Sequence, residues 1–171
     1  MKKRLLSGLL VLCLIFTLLP MSAFAERVFT GTCGDNITWR MVEDDNYDRI
    51  LTISGTGDMT EPLDINGNRV RTVIIDYGIT SIGDEAFSSY FEDLETIIIP
   101  SSITKIGAGA FVSCKSLKEI IIPDSVTSIG DYAFESCKSL TSIIIPYGVT
   151  RIGDRVFSDC KALRLLLYQK A

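Results

Sequence analysis

The sequence predicts a β-rich solenoid, a chain that winds through turns of equal length and stacks them along one axis. Two observations carry this prediction. Four leucines recur at intervals of 23 residues: Leu94, Leu117, Leu140 and Leu163. Three short apolar runs end at a proline: Leu94–Pro100, Leu117–Pro123 and Leu140–Pro146. One such unit buries too little apolar surface to offset the entropy lost on folding, so we expect the units to stack.

Residues 1–25 have the three parts of a secretory signal peptide. Lys2–Arg4 supply the positive start, Leu5–Leu19 the apolar stretch, and Ala23–Ala25 the small residues before the cleavage site. The apolar stretch is too short to span a bilayer, which needs about 20 residues. We therefore expect this segment to be removed, leaving a secreted or cell-surface chain without a membrane span.

The composition excludes several classes of function. The 171 residues are 47% hydrophobic and 22% charged, which is too apolar for a disordered protein. The chain contains no histidine, which excludes histidine-based catalytic triads, histidine zinc sites and imidazole pH switches. After residue 25 it holds 14 Lys and Arg against 21 Asp and Glu, a negative charge that disfavours nucleic acid as a partner. We expect no enzymatic activity, no cofactor and no metal site.

Residues 26–69 are predicted to form an N-terminal β cap and a linker. Apolar residues alternate with polar ones in two runs: Ile37, Trp39 and Met41, then Leu51 and Ile53. This pattern predicts a β-hairpin with a long turn, which would cover the first turn of the solenoid. Trp39 is expected to hold the cap to the core. Residues 55–68 would be a linker or an irregular first turn.

Residues 70–171 are predicted to form the solenoid itself, with about 4.3 repeats. Each unit is expected to contain a strand ended by proline, a second inward-facing run before an Ile-Gly pair, and a turn that returns Ala-Phe to the core. Gly130 is expected to adopt a backbone conformation that other residues resist, and Asp131 to cap the turn that follows.

The repeated unit carries a family resemblance. Over Leu117–Cys137 the pattern L-x-x-I-x-I-P-x-x-V-x-x-I-G-x-x-A-F-x-x-C resembles the bacterial leucine-rich repeat of BspA-like surface proteins. The resemblance covers Val70–Tyr168 and weakens where Asp76 replaces the proline and Tyr90 the cysteine. It implies an α/β-type leucine-rich repeat solenoid with short strands and short helical turns, preceded by the β-hairpin cap. It also implies a surface-displayed binding module with no catalytic residues to transfer.

Two groups of oxygen-bearing side chains could form a metal or catalytic site instead of a structural turn. Asp44, Asn46 and Asp48 have the spacing of a calcium loop but lack its glycine and its closing glutamate, so a solvated turn is preferred. Asp131 and Asp154 fall one repeat apart, at the separation of a retaining glycosidase pair. Because each follows a glycine at the start of a turn, a capping role is preferred.

Four cysteines remain after residue 25, an even number that in a secreted chain suggests disulfides. Three of them, Cys114, Cys137 and Cys160, occupy the same position in successive repeats. Their side chains are therefore expected to run parallel, which disfavours the dihedral angle of a bridge. We expect these three thiols to be reduced, buried and slow to react.

The predicted partner-binding surface is the outward side of the repeated strands. An aliphatic column runs along it: Ile74, Ile98, Ile121, Ile144 and Leu167. Charged residues flank the column: Glu95, Lys118, Glu119 and Arg164. Either the column only stabilises the sheet through cross-strand packing, or it is the apolar centre of an interface with a polar rim.

These features predict a secreted or cell-surface adhesion module that binds a protein or glycan through its repeat surface. A structural spacer, or the non-catalytic part of a larger surface enzyme, is the alternative. The incomplete unit Leu163–Tyr168 is expected to leave an open edge, so that the chain self-associates or belongs to a longer array.

Overall fold

The computed structural model describes residues 26–63, 65–88 and 90–168. The predicted signal peptide, residues 1–25, and residues 169–171 of the predicted solenoid lie outside the described residues. Within the described part of the chain, no helix has the length and apolar character needed to cross a membrane.

The described residues contain thirteen strands. Three form an antiparallel N-terminal unit: β1 Arg27–Thr32, β2 Ile37–Glu43 and β3 Arg49–Gly55. Five short strands belong to one array: β4 Gly57–Asp58, β6 Ile79–Ile82, β8 Lys105–Ile106, β10 Ser128–Ile129 and β12 Arg151–Ile152. The other strands continue from β3 along the molecule: β5 Val70–Ile75, β7 Thr96–Ile98, β9 Glu119–Ile121, β11 Ser142–Ile145 and β13 Leu165–Tyr168.

Each turn of the solenoid, here called a rung, contributes one strand to each of two arrays. Rungs 1 to 5 begin with β3, β5, β7, β9 and β11 and continue with β4, β6, β8, β10 and β12, and β13 begins rung 6. The first array is hydrogen-bonded in the orders β1-β2-β3-β5-β7 and β9-β11-β13, and the second in the order β4-β6-β8-β10-β12. From β3 onward all pairings are parallel, which confirms the predicted solenoid.

The regular period places equivalent side chains above one another in the core. Ile143 lies opposite Ile120 on one side and Leu166 on the other. Four phenylalanine rings form a continuous parallel stack with centroid separations of 5.4, 5.3 and 5.8 Å: Phe87, Phe111, Phe134 and Phe157. Such offset stacks stabilise aromatic pairs beyond the area that they bury. The core is therefore one column of repeated layers.

The third side of each rung, here called the turn face, contains no helix, so the short helical turns expected there are wrong. Its residues are 84–88, 108–112, 131–135 and 154–158. One residue of each segment has a left-handed backbone: Glu85, Gly109, Tyr132 and Arg155, with φ of 55°, 60°, 58° and 52°. A helix cannot pass through that conformation. Alternate backbone N–H groups instead donate to the next rung, as from Phe111 to the Ala133 carbonyl at 2.8 Å.

The glycine of each Ile-Gly pair serves close packing between rungs. A Cβ atom at Gly130 would lie 2.5 Å from the backbone nitrogen of Ala108 in the preceding rung, a distance that real Cβ atoms do not show. The expectation that Gly130 supplies an unusual backbone conformation is wrong, because the left-handed residue is Tyr132, two positions later.

Rung 2 has one extra residue between Phe87 and Leu94, and this changes which residue occupies the cysteine column. Tyr90 has the spacing of the cysteines, three residues after the phenylalanine. Tyr90 is exposed, whereas Phe91 is buried and packs edge-to-face on Phe87 at 5.3 Å. The backbone N–H of Leu94 donates to Phe91, as that of Leu117 donates to Cys114. Phe91, not Tyr90, is therefore the structural equivalent of the cysteines.

The predicted hairpin is confirmed as β2 and β3, and it is directly continuous with the solenoid. β3 pairs antiparallel with β2 and parallel with β5, so it is both a hairpin strand and the first strand of rung 1. A further antiparallel strand, β1, lies outside β2 and was not predicted from the sequence. Trp39 is half-buried and packs against the core, as expected.

Candidate interaction surface

The outward side of β3, β5, β7, β9, β11 and β13 is here called the strand face. The predicted aliphatic column lies on it in register: Ile74 pairs with Ile98, and Ile144 pairs with both Ile121 and Leu167. Ile121 is 83% exposed, Ile98 and Ile144 are each 53% exposed, and Leu167 is also exposed. Ile74 is half-buried. The structure therefore brings all five predicted aliphatic residues into one stripe.

The alternation of strand side chains explains why this stripe is exposed. Successive strand residues point to opposite faces, so Ile97, Ile120 and Ile143 fill the core while the next isoleucine of each strand faces outward. The stripe ends toward the hairpin, where Thr52 lies opposite Ile74 and Arg40 opposite Thr52. The aliphatic stripe is thus confined to rungs 2 to 6.

Charged residues form a row beside the stripe. Arg71 bridges Asp48 of the hairpin turn, at 2.7 Å between Nε and Oδ1, and Glu95 of rung 3. The hydrogen bonds that Arg71 donates, to Asp48 as the larger effect and then to Glu95, raise the pKa of Arg71. Lys118 Nζ lies 3.8 Å from Glu95 Oε2, so two of the predicted rim residues contact each other. The contact with Asp48 was not predicted from the sequence, because the hairpin turn is distant along the chain.

The other two predicted rim residues are exposed. Glu119 lies in the column beside the stripe, opposite Ser142, and Arg164 precedes β13. Among residues 26–63, 65–88 and 90–168, neither forms an ion pair. Ile50 is also exposed, in the same column as Glu119, and the alternation of β3 could have identified it.

The calcium-loop spacing in the hairpin turn has a structural explanation. Asp44 Oδ1 accepts the backbone N–H groups of Asn46 and Asp48, each at 2.9 Å. This carboxylate closes the turn on itself, in the manner of an Asx turn. The described residues contain no group of three acidic or cysteine side chains arranged to hold a metal ion.

The aspartates that follow the Ile-Gly pairs connect neighbouring rungs. Asp131 Oδ1 accepts the backbone N–H of Asp154 at 2.8 Å, and Asp84 Oδ1 accepts that of Ala108 at 2.8 Å. The expectation that Asp131 caps its own turn is wrong: Asp84 and Asp131 each accept a backbone N–H of the next rung. Within the suggested catalytic pair, the Asp131 carboxylate is therefore hydrogen-bonded to the backbone N–H of Asp154.

Comparisons with known proteins agree with this architecture. A family model described as a BspA type leucine rich repeat region, in six copies, matches residues 66–169. No curated protein matches the chain. A leucine rich cell surface protein from Faecalibacterium prausnitzii is 26% identical, with a TM-score of 0.62 over 84% of this chain and 43% of that one.

Two further solved structures are similar. A leucine-rich repeat protein from Bacteroides ovatus is 29% identical, with a TM-score of 0.63 over 78% of this chain and 40% of that one. Another from Eubacterium ventriosum is 26% identical, with a TM-score of 0.59 over 84% of this chain and 45% of that one. The chain spans less than half the length of these three proteins.

Proposed function

Because the chain belongs to the family of BspA-type leucine-rich repeat proteins, we propose that it is a non-catalytic module that binds another protein through its strand face. The observation that carries this proposal is the exposed aliphatic stripe, in which Ile98, Ile121, Ile144 and Leu167 lie side by side. Exposed apolar groups in one continuous patch mark interaction sites more often than apolar groups scattered singly.

The chemistry of the stripe favours a protein partner over a glycan. Its side chains are aliphatic, so they offer neither hydrogen-bond donors nor acceptors to sugar hydroxyl groups. An apolar centre with a charged rim is the usual anatomy of a protein interface. The row Arg71, Glu95 and Lys118 supplies charged groups on one side of the stripe, and Glu119 lies on the same side, between that row and the stripe.

The rim charges would contribute mainly to the rate and specificity of association. Exposed ion pairs contribute little to affinity, whereas charged rims steer the encounter of two partners. Glu119 and Arg164 are the rim residues whose charges are available to a partner, since neither forms an ion pair in the described part of the chain.

The proposed location is outside the cell or on its surface. The predicted signal peptide and the resemblance to a cell surface protein support this location. In a longer protein of the same kind, the present chain would serve as a binding segment beside other repeats or domains.

A binding screen with variants of the stripe tests the proposal. The purified chain would be immobilised and exposed to purified matrix proteins, mucin and cell-surface polysaccharides, and each bound probe would be titrated. The triple variant Ile98→Ser, Ile121→Ser, Ile144→Ser should weaken protein binding by more than about tenfold, because central apolar contacts dominate interface energy. Tyr77→Ser is the matched control, since Tyr77 is 78% exposed but outside the stripe.

Circular dichroism would first establish that the triple variant keeps the fold. Equal binding by the triple variant and the parent chain would show that the strand face is not the binding surface. Binding of polysaccharides alone would assign the surface to glycans, and absence of binding to every probe would favour a structural spacer.

A further inference from the structure

The turn face has one place where the repeat pattern is interrupted. In rungs 2, 4 and 5 the residue after the Ile-Gly pair is aspartate, and the next is Glu85, Tyr132 or Arg155. Rung 3 has Ala108 and Gly109 at these two positions. The four left-handed residues of this column share the same backbone conformation, so Gly109 leaves a gap where its neighbours project a side chain.

This gap opens into a groove of 430 Å³, here called the turn-face groove. Its floor is the backbone and small side chains of rung 3: Ala108, Gly109 and Val112. The floor is apolar and runs between the side chains of rungs 2 and 4. Its volume is of the size that accepts a long side chain or a small ligand.

The walls of the groove combine carboxylates with an aromatic ring. Rung 2 contributes Asp84 and Glu85, and rung 4 contributes Tyr132 and Glu135. Asp84 uses one oxygen to accept the Ala108 N–H. In the part of the chain that the structure describes, no Lys or Arg forms an ion pair with any of these three carboxylates. Their negative charge is therefore available to a ligand.

We propose that the turn-face groove binds an arginine side chain presented by a protein partner. The methylene groups of arginine would lie on the apolar floor, and its guanidinium would donate to Glu85 and Glu135 and face the Tyr132 ring. This combination of an apolar floor, an aromatic wall and unpaired carboxylates matches an amphipathic cation. A simple anion or an apolar side chain would leave either the carboxylates or the ring without a partner.

The groove does not depend on the strand-face proposal, because it lies on another side of the rungs and is formed by different residues. It also differs from the regular repeat surface in being unique to rung 3 among the described rungs. A partner that uses both surfaces would contact two sides of the solenoid.

The test uses the purified chain and the blocked peptide Gly-Ser-Gly-Arg-Gly-Ser-Gly, with the same peptide carrying citrulline as the uncharged control. Binding would be followed by the amide resonances of residues 108–112 in isotope-labelled protein. The arginine peptide should shift these resonances, and the citrulline peptide should bind at least about tenfold more weakly, because it lacks the charge.

Gly109→Tyr should fill the groove and weaken binding by about tenfold or more. The fold should tolerate it, because Tyr132 has the same left-handed backbone and a Cβ at residue 109 would meet only side-chain atoms of Glu85 and Val112, at 3.3 and 3.4 Å. The double variant Glu85→Gln, Glu135→Gln should weaken binding similarly without filling the groove. Arg155→Gly makes a comparable change in rung 5, away from the groove, and should leave binding unchanged.

The proposal is overturned if no shift occurs up to about 10 mM peptide, a concentration at which even a millimolar complex would form. It is also overturned if the citrulline peptide binds equally, or if Gly109→Tyr binds as well as the parent chain. Equal binding of spermidine would assign the groove to free polyamines in place of a protein partner. Ile121→Ser should leave peptide binding unchanged, which separates this test from that of the strand face.

Discussion

The thiols of Cys114, Cys137 and Cys160 each donate a hydrogen bond to a phenylalanine carbonyl of the preceding rung. The sulfur–oxygen distances are 3.3, 3.2 and 3.0 Å, to Phe87, Phe111 and Phe134 respectively. The expected inward column of cysteines is therefore present, and its members connect rungs through hydrogen bonds without bridging. Burial raises the pKa of Cys137 to about 12 and that of Cys114 well above its usual range.

We expect the three thiols to react at different rates in the folded protein. Cys114 and Cys137 are buried, so alkylation should require unfolding, whereas Cys160 is half-buried and should react first. Mass spectrometry after iodoacetamide treatment at about pH 8, with and without denaturant, would measure the order. Rapid and equal labelling of all three sites under native conditions would contradict the column.

Glu43 is a buried carboxylate held by two arginines. Its oxygens accept hydrogen bonds from Arg49 at 2.8 Å and from Arg27 at 3.1 Å. The hydrogen bond from Arg49 is the largest of the effects that lower the pKa of Glu43. Arg49 also donates to the carbonyl oxygens of Asn66 and Asn68, so the cluster joins the hairpin to the start of rung 2.

Glu43 should make the stability of the cap depend on pH. Because the folded pKa is lowered, its contribution is complete above the unfolded pKa of about 4.3 and is lost as the pH falls through the lower folded value. Glu43→Gln should therefore be less stable than the parent chain near neutral pH, and the difference should shrink on acidification. Urea unfolding at several pH values would measure this.

The matched control is Glu119→Gln, which removes an exposed carboxylate without an ion pair in the described residues. Its stability should follow that of the parent chain at every pH. If the stability of Glu43→Gln also equalled that of the parent chain at every pH, the contacts of Glu43 with the two arginines would contribute nothing to the free energy of folding.

At the scale of elements, rung 5 and β13 differ from the rungs before them. Core residues of rung 5 are only half-buried: Val149, Ile152, Phe157 and Cys160. Their equivalents in rung 4 are buried: Val126, Ile129, Phe134 and Cys137. Leu166 occupies the inward column but is 39% exposed, against 1% for Ile143 beside it. The described part of the solenoid therefore ends in an apolar face.

Self-association through this end face stays a prediction. Sedimentation velocity of the purified chain should show a mass that rises with concentration, because an apolar face beside an unpaired strand edge favours pairing with another copy. Leu166→Lys should reduce the association by placing a charge in that face, whereas Ile121→Lys on the strand face should not. A parent chain that stays monomeric at the highest concentrations would contradict the prediction.

At the scale of the whole molecule, the rungs are joined neighbour to neighbour. The strand ladders and the phenylalanine stack join rung to rung, and in the part of the chain that the structure describes no strand pairs with one two rungs away. The stability of such a chain is approximately a sum of rung and interface terms. Removal of one whole rung should therefore preserve the architecture of the others.

Deletion of residues 117–139 removes the 23-residue rung 4 and should yield a folded, less stable protein. Leu140 would take the place of Leu117, so β11 would take the place of β9 beside β7. Urea unfolding should show a cooperative transition. The free energy of unfolding should depend less steeply on urea concentration than in the parent chain, because less surface is exposed on unfolding. Deletion of residues 117–128 removes about half a rung and should prevent folding of everything after it.

A folded product of the half-rung deletion would show that the strict period is not needed for stacking. Circular dichroism and the cooperativity of unfolding would distinguish this outcome from the expected one.

The sequence by itself determined the solenoid, its period and the residues of the strand-face stripe. A strict 23-residue repeat puts Ile98, Ile121 and Ile144 in one column, and the alternation of strand side chains sets that column outward. The hairpin was equally visible, because apolar residues alternate in both of its strands. These properties depend on local pattern and on equal chain length between repeats.

Only the tertiary structure decided the features that arise between rungs. β1 was not predicted because it lies outside the hairpin, on β2, and the turn face was mispredicted because its backbone N–H groups bond to the next rung. Glu85 and Tyr132 adopt a left-handed backbone that their residue types do not favour, and their N–H groups donate to the next rung at 2.8 and 2.9 Å. The turn-face groove exists because Gly109 lies between longer side chains of rungs 2 and 4. Which side chains lie beside Gly109 depends on how the rungs stack, and this is decided only in the tertiary structure.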